Sequence, residues 1–161
     1  MDRAWLAAWV RGRIAELEEE LEALRGILEV LEGGGDPGRP RPGERVEEVR
    51  VGRRRIARVF KGEDYVRLAP LEPLALPPEA RAYLEEVVSE IRAEQARDPS
   101  RAPEARLELR EDPGGGLLEA RIEGLGGVLE LVKAKTALKH AAEAAWQYTR
   151  AARRAGGAGG A

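Results

Sequence analysis

The sequence lacks several residue types on which common chemistries depend. Its 161 residues include no cysteine and no asparagine, one histidine, and only two each of serine, threonine and glutamine. Without cysteine there are no disulfides, thiolate metal ligands or cysteine nucleophiles. Nucleophilic catalysis needs a hydroxyl or thiol beside a base and an orienting group, and here the few candidates are scattered over different segments. The sequence therefore predicts a protein that is not an enzyme and holds no metal or cofactor.

Long hydrophobic runs are also missing. No apolar run approaches the ~20 residues that cross a bilayer. The N-terminal segment carries glutamates within its apolar pattern, unlike a signal peptide. These features predict a cytoplasmic protein. The scarcity of asparagine, glutamine, cysteine and methionine, combined with abundant glutamate and arginine, is typical of thermophiles.

The near-neutral charge hides an alternation along the chain. The formal net charge is −2. Residues 1–35 carry a net −4 and residues 71–125 a net −6, whereas residues 36–70 and 126–161 each carry a net +4. If the two basic segments meet in the fold, they form a positive face, which is the electrostatic mark of a polyanion partner.

The first 34 residues predict a helix for oligomerisation. Apolar side chains recur in alternating steps of three and four, the a and d positions of a heptad repeat. The seam consists of Val10, Ile14, Leu17, Leu21, Leu24, Leu28 and Leu31. The sequence predicts a homo-oligomer, a dimer or tetramer, through a coiled coil over residues 1–34. An amphipathic helix packed within one chain stays open as the alternative.

Charges flank this seam. In a parallel pair Arg13 would face Glu18 of the partner, and Glu20 would face Arg25. An antiparallel pairing also matches these charges, so the orientation stays open. Three glycines at 33–35 stop the helix. Residues 35–44, rich in proline and glycine, then predict a linker.

The rest of the chain predicts an α+β domain over residues 45–155, a small antiparallel β-sheet packed with two helices. Short β-branched and aromatic runs separated by glycine-containing turns predict a three-stranded meander over 46–69. A helix over 79–97, a hairpin around residues 107–123 and a final helix over 128–154 follow. The tail, 156–161, is expected to be disordered.

The meander supplies the first candidate site. A two-residue Gly62-Glu63 turn places Phe60 opposite Tyr65 and Arg58 opposite Arg67. Because strand side chains alternate, one face carries arginines interleaved with aromatics, and the other is apolar and suits a core. This pattern predicts a platform that holds phosphates and stacks bases. Its residues are Arg54, Arg58, Phe60, Lys61, Tyr65 and Arg67. Intramolecular arginine–glutamate pairs on a solvated face are the alternative.

The final helix supplies a second candidate. Lys139, Trp146, Arg150 and Arg153 follow one another at helical spacing and form a basic stripe with an aromatic member, of which the first three are the predicted binding residues. A tryptophan flanked by lysine and arginine can stack a base, although it also serves as a hydrophobic anchor.

The order of elements, with the Ile14–Leu31 zipper, the arginine and aromatic meander and the helix opened by Pro77-Pro78, resembles the ThermoDBP-related family of archaeal single-stranded DNA-binding proteins. The resemblance implies a small antiparallel sheet backed by helices, a basic and aromatic cleft for a single strand, and a zipper for oligomerisation. The zipper here is N-terminal, whereas the family's namesake carries it at the C-terminus, so the geometry of the oligomer is not carried over.

Two functions are consistent with these features. The first is an oligomeric, largely sequence-independent protein that binds single-stranded DNA or RNA. The second is a coiled-coil scaffold or adaptor that binds proteins through the sheet face. The residues do not distinguish DNA from RNA.

Overall fold

The structure, a computed structural model, describes residues 2–29 and 37–159. The chain divides into two compact units, Met1–Pro37 and Gly38–Ala161. None of the helices in the described part of the chain has the length and hydropathy required to span a bilayer.

The first unit contains one helix, α1, from Arg3 to Glu29. Asp2 caps it, because its Oδ1 accepts a hydrogen bond from the amide of Ala4 at 3.1 Å. The described seam residues are all exposed, as expected for a helix that has not buried its apolar face. The predicted seam residue Leu31 and the predicted stop at 33–35 lie outside the described residues.

The second unit confirms the predicted α+β class. Its helices and strands are β1 (Arg45–Val51), β2 (Arg54–Lys61), β3 (Tyr65–Pro70), α2 (Pro78–Ala96), β4 (Arg106–Glu111), β5 (Leu117–Glu123) and α3 (Val128–Gly159). The strands form one sheet in the order β1-β2-β3-β5-β4, and all neighbouring strands are antiparallel. Strands β3 and β4 flank β5 and are therefore parallel, and α2 makes the crossover between them.

Both helices of this unit pack on one side of the sheet. Helix α3 contacts β1, β2 and β3, and α2 contacts α3 and β4. The core joins strand residues such as Val59, Leu68 and Ile122 to Leu84 of α2 and Leu138 of α3. We call this side of the sheet the helix side and the opposite side the back face.

The β2–β3 turn differs by one residue from the prediction. Gly62 donates its amide to the Tyr65 carbonyl at 3.0 Å, so the turn residues are Glu63 and Asp64. Phe60 therefore pairs with Arg67, not with Tyr65, and Arg58 pairs with Ala69. In this register the Tyr65 ring packs over Gly62, where its Cε1 lies 2.2 Å from the position that a Cβ would occupy, so position 62 requires a glycine. The shift preserves side-chain alternation, so these residues still share a face.

Helix α3 extends beyond its predicted end at 154, into the segment 156–161 that was predicted to be a disordered tail. Alanine-rich sequence before this point favours continuation, because helix growth is cooperative and alanine is the best helix former. Residues 160–161 lie outside the described residues.

A buried glutamine joins the ends of three elements. The Nε2 of Gln95, at the end of α2, donates to the carbonyl of Gly124 at 2.9 Å and to Glu130 Oε1 at 2.5 Å. Its Oε1 accepts from the amides of Glu104 and Ala105. This network seats the β5–α3 connection against the start of β4.

Gly124→Ala should destabilise the fold through two effects. Gly124 has a φ of +74°, and a Cβ there would lie 2.1 Å from the carbonyl oxygen of Glu104. Gly127→Ala is the matched control, since Gly127 also has a positive φ (+84°) but nothing within 4 Å. The control should lose only the conformational term, about 1–2 kcal/mol. Urea denaturation checks this, and equal losses in both variants would contradict the role given to the close approach.

Candidate nucleic-acid interface

The predicted platform on β2 and β3 is largely interior. Arg67 and Phe60 have 0% exposure, and the Arg67 guanidinium lies 3.9 Å from the centroid of the Phe60 ring. Arg67 donates from Nε and Nη2 to the two carboxylate oxygens of Glu44, each at 2.8 Å. The Arg39 carbonyl accepts a further hydrogen bond from Nη2 at 2.9 Å. The aromatic and arginine pattern is therefore satisfied from within the chain.

Tyr65 belongs to the same cluster. Its hydroxyl donates to Glu44 Oε2 at 2.6 Å. Burial raises the pKa of Tyr65, and the hydrogen bond to the Glu44 carboxylate raises it further. Burial acts to raise the pKa of Glu44 as well, but hydrogen bonds from Arg67 and Tyr65 outweigh it and hold that pKa below its usual range. Segment 38–44, predicted as part of a linker, thus packs on the back face of the sheet.

The remaining sheet residues of the predicted platform do not meet at one place. Arg58 shares the face of Phe60 and is half-buried, opposite Glu48 of β1. Lys61 is half-buried and projects to the helix side, as expected for the neighbour of Phe60 in a strand. Burial of Phe60 and Arg67 leaves no continuous surface of stacking and phosphate-binding groups here.

A β-bulge moves Arg54 to the other side of the sheet. Val49 pairs with Ala57 and Arg50 with Arg55, which leaves Ile56 without a cross-strand partner in β1. An extra residue reverses the alternation beyond it. Arg55 therefore reaches Glu48 on the back face, at 3.0 Å, while Arg54 turns to the helix side. The prediction that Arg54 shares a face with Arg58 and Phe60 is wrong for this reason.

On the helix side Arg54 lines a cleft of about 390 Å³, which we call the arginine cleft. The β1–β2 turn, the segment after β3 and the C-terminal half of α3 form its walls. Its lining residues are Val51, Arg53, Arg54, Glu72, Pro73, Leu74, Trp146, Thr149, Arg150 and Arg153. It therefore unites Arg54, Trp146 and Arg150 from the two sequence-predicted candidates.

Glu72 organises the floor of the arginine cleft. It accepts hydrogen bonds from Arg54 Nη2 at 2.6 Å and from the indole Nε1 of Trp146 at 3.1 Å. The segment that carries it is tied to α3, because the amide of Ala75 donates to Thr149 Oγ1 at 2.8 Å. The hydrogen bond from Nε1 to Glu72 orients the Trp146 ring, and the bond between Ala75 and Thr149 holds the segment of Glu72 against α3.

The cleft carries a clear excess of positive charge. Four arginines line it against one glutamate. The Arg150 guanidinium lies 5.0 Å from the Trp146 ring centroid, close enough for a cation–π contact. In the described part of the chain neither Arg53 nor Arg150 forms an ion pair with a carboxylate. An anionic ligand can therefore contact these two arginines without displacing a carboxylate.

A second depression continues the cleft along α3. It is lined by Trp146, Gln147, Arg150, Ala151 and Arg154. Trp146 and Arg150 thus belong to both depressions, and a ligand longer than one depression can pass over them.

Lys139 lies outside the arginine cleft. Its Nζ donates to Glu47 Oε1 at 2.5 Å, and Lys135 contacts the other carboxylate oxygen of Glu47 at 3.1 Å. These contacts hold the pKa of Glu47 below its usual range, with the hydrogen bond from Lys139 as the main cause. The lysine fastens α3 to β1 and is not brought together with Trp146 and Arg150 at the cleft.

Sequence reasoning missed Arg53 and Glu72 as cleft residues. In the sequence Arg53 is one of three consecutive arginines at a turn, and Glu72 is one acidic residue in a proline-rich connector. Neither position carries a signal that assigns it to a site. Arg153 continues the spacing of Trp146 and Arg150 along α3, which is a local signal for it.

Glu44→Gln should destabilise the protein by about 3–5 kcal/mol at neutral pH, because it removes the countercharge of a buried guanidinium. The lowered pKa of Glu44 means that its stabilisation is present above 4.5 and is lost as the pH falls through the lower folded value. The free energies of unfolding of wild type and variant should therefore converge in acid. Glu94→Gln, which breaks the exposed Glu94–Lys133 pair, is the control. Urea denaturation at several pH values measures both, and equal effects of the two variants would contradict this assignment.

No protein-family model, curated protein or solved structure matches the chain. The likeness to the ThermoDBP-related family therefore remains an expectation from the sequence.

Proposed function

We propose that this protein binds single-stranded nucleic acid through the arginine cleft, largely independently of base sequence, and self-associates through α1. The observation that carries the proposal is the position of Trp146 between Arg54 and Arg150 where two basic depressions meet. Arginines that track a phosphate backbone beside an aromatic side chain that stacks a base are the usual components of single-strand sites. No step of this function requires catalysis.

A single strand suits the cleft better than a duplex. The side chain that would stack is half-buried in a concavity, so a base has to leave its own stack to reach it. Bases in a duplex are stacked and paired, and reaching the cleft would carry the cost of disrupting them. Most of the charged groups that line the cleft are guanidinium groups, which bind the phosphates common to every nucleotide and thus give little sequence preference.

The back face supports the adaptor alternative less well. Its β4–β5 part is covered by ion pairs between neighbouring strands, with Arg121 Nη2 2.7 Å from Glu108 Oε2 and Arg106 Nε 2.5 Å from Glu123 Oε1. A docking partner would have to desolvate these charges, which is costly unless they are paired again.

Binding to fluorescein-labelled oligothymidylate and to a matched duplex, measured by anisotropy, tests the proposal. We expect tighter binding of the single strand, which weakens steeply between about 50 and 200 mM salt. If four arginines each neutralise one phosphate, the slope of log K against log salt is roughly −3 for a single strand. Absence of binding at low salt, or binding that does not depend on salt, would contradict the proposal.

Substitutions within the cleft should separate stacking from charge. Arg53→Ala and Arg150→Ala should each weaken binding and reduce the salt slope by about 0.7. Trp146→Ala should weaken binding by roughly 5–150-fold, the equivalent of 1–3 kcal/mol, with an unchanged slope. Circular dichroism must accompany Trp146→Ala, because this side chain also packs against the core.

The chain offers a matched control for the arginine variants. Arg55 is adjacent to Arg54 in sequence, but it lies on the back face with Glu48. Arg55→Ala and Arg58→Ala should leave single-strand affinity unchanged. A larger loss in these two variants than in Arg53→Ala and Arg150→Ala would place the site on the back face instead.

Self-association is tested separately by light scattering. Replacing Leu21 and Leu24 together with glutamate should give monomers, since two charges would enter the seam. Glu19→Lys, on the opposite side of α1, is the control and should leave the oligomer intact. A wild-type protein that is monomeric at micromolar concentration would contradict the proposed role of α1.

A further inference from the structure

We infer that α1 pairs with α1 of a second copy in antiparallel orientation, in the one register that places Ile14 opposite Leu17 of the second copy. This inference rests on the proposed self-association and does not depend on the proposed nucleic-acid binding. It identifies both the partner of the exposed seam and the direction in which the two chains leave it.

The seam is a long apolar surface without a cover in the described part of its own unit. Its residues from Val10 to Leu28 are between 42% and 62% exposed. Such a stripe on a helix of 27 residues, about 40 Å long, matches an equal helix better than a short groove. A second copy is the one partner whose length, apolar spacing and flanking charges are given by the sequence itself.

Layer sizes favour the antiparallel arrangement. In an in-register parallel pair, Ala7 faces Ala7 of the second copy, so that a layer of two small side chains lies next to layers of large side chains. With Ile14 opposite Leu17, Ala7 instead faces Leu24, and Val10 faces Leu21. The Ala7–Leu24 and Val10–Leu21 layers then each combine a smaller with a larger side chain, and the central Ile14–Leu17 layer joins two side chains of equal size, which keeps the separation of the helices even over these layers.

Ion pairs alone do not choose the orientation, but the apolar flanking residues do. In antiparallel coiled coils residues at g face g, and residues at e face e. The stated register pairs Arg13 with Glu20 and Arg11 with Glu18, twice each, as many attractive pairs as a parallel dimer offers. It also places Leu6 against Ile27, whereas a parallel pair places Leu6 beside Arg11. Leu6 and Ile27 are both exposed in the single chain, at 44% and 56%.

Neighbouring antiparallel registers are excluded by repulsion. A shift of one heptad in one direction brings Glu18 opposite Glu18 and Arg11 opposite Arg25. A shift in the other direction brings Arg11 opposite Arg11 and Arg13 opposite Arg13. Like charges facing each other across a seam select against both registers. Opposed helix dipoles add a further preference for the antiparallel pair.

Disulfide cross-linking tests the inference. Because the sequence contains no cysteine, only the introduced cysteines can form the cross-link. Three single variants are prepared, Val10→Cys, Leu21→Cys and Glu19→Cys. In the antiparallel register position 10 meets position 21, whereas two copies of position 10 are about 16 Å apart, beyond the ~7 Å Cα separation that a disulfide tolerates. An oxidised mixture of Val10→Cys and Leu21→Cys should therefore give most of its protein as the mixed dimer.

The separate variants and an independent mass measurement make each outcome decisive. Val10→Cys alone and Leu21→Cys alone should give no more cross-linked dimer than the outward-facing Glu19→Cys. Efficient self-linking of Val10→Cys would show a parallel pair and overturn the inference while leaving self-association intact. A monomeric wild-type protein by sedimentation would overturn both. If the protein self-associates but the mixture of Val10→Cys and Leu21→Cys does not cross-link, the inferred register is wrong and the proposed self-association stands.

Discussion

The buried arginine of β3 is the constraint on which the second unit depends. A guanidinium without exposed surface must have its charge balanced and its N–H groups paired. Glu44 supplies the countercharge of Arg67, and the Arg39 carbonyl accepts another hydrogen bond. Strand pairing places Arg121 next to Arg67 on the β5 side, and Glu108 balances the charge of this second arginine. Segment 38–44 is thereby held on the back face of the sheet.

One inserted residue in β2 then decides where the neighbouring arginines go. Because Ile56 has no partner in β1, Arg54 and Arg55 exchange the sides that simple alternation would give them. Arg54 joins Glu72, Trp146 and the arginines of α3, while Arg55 joins Glu48. The basic segments 36–70 and 126–161 do meet, as their charges suggested, but they meet at the sheet's helix-side edge. The fold thus concentrates positive charge around one indole ring in a protein whose net charge is −2.

Local patterns were readable from the sequence, whereas long-range partners were not. Alternation identified the strands, their shared faces and the apolar side of the meander, because it depends only on neighbouring residues. The role of Glu44 was not predictable, since its partner lies 23 residues away and Glu44 itself stands at the end of the predicted linker. No local sequence pattern indicates the β-bulge at Ile56. Glu72 contacts Trp146 and Ala75 contacts Thr149, each across 74 residues, which local patterns do not reveal. The heptad of α1 was evident because it depends only on local spacing.

The central claim is that a nucleic-acid strand passes over Trp146 and not over the aromatics of the meander. Photo-cross-linking of the full protein to an iodouracil-containing single strand, followed by mass spectrometry of the linked peptides, tests it most directly. We expect cross-links at Trp146 and at its neighbours on α3, and an unlabelled competing single strand should suppress these cross-links. Cross-links concentrated at Tyr65 or at Trp9 of α1, or no cross-link at low salt, would contradict it.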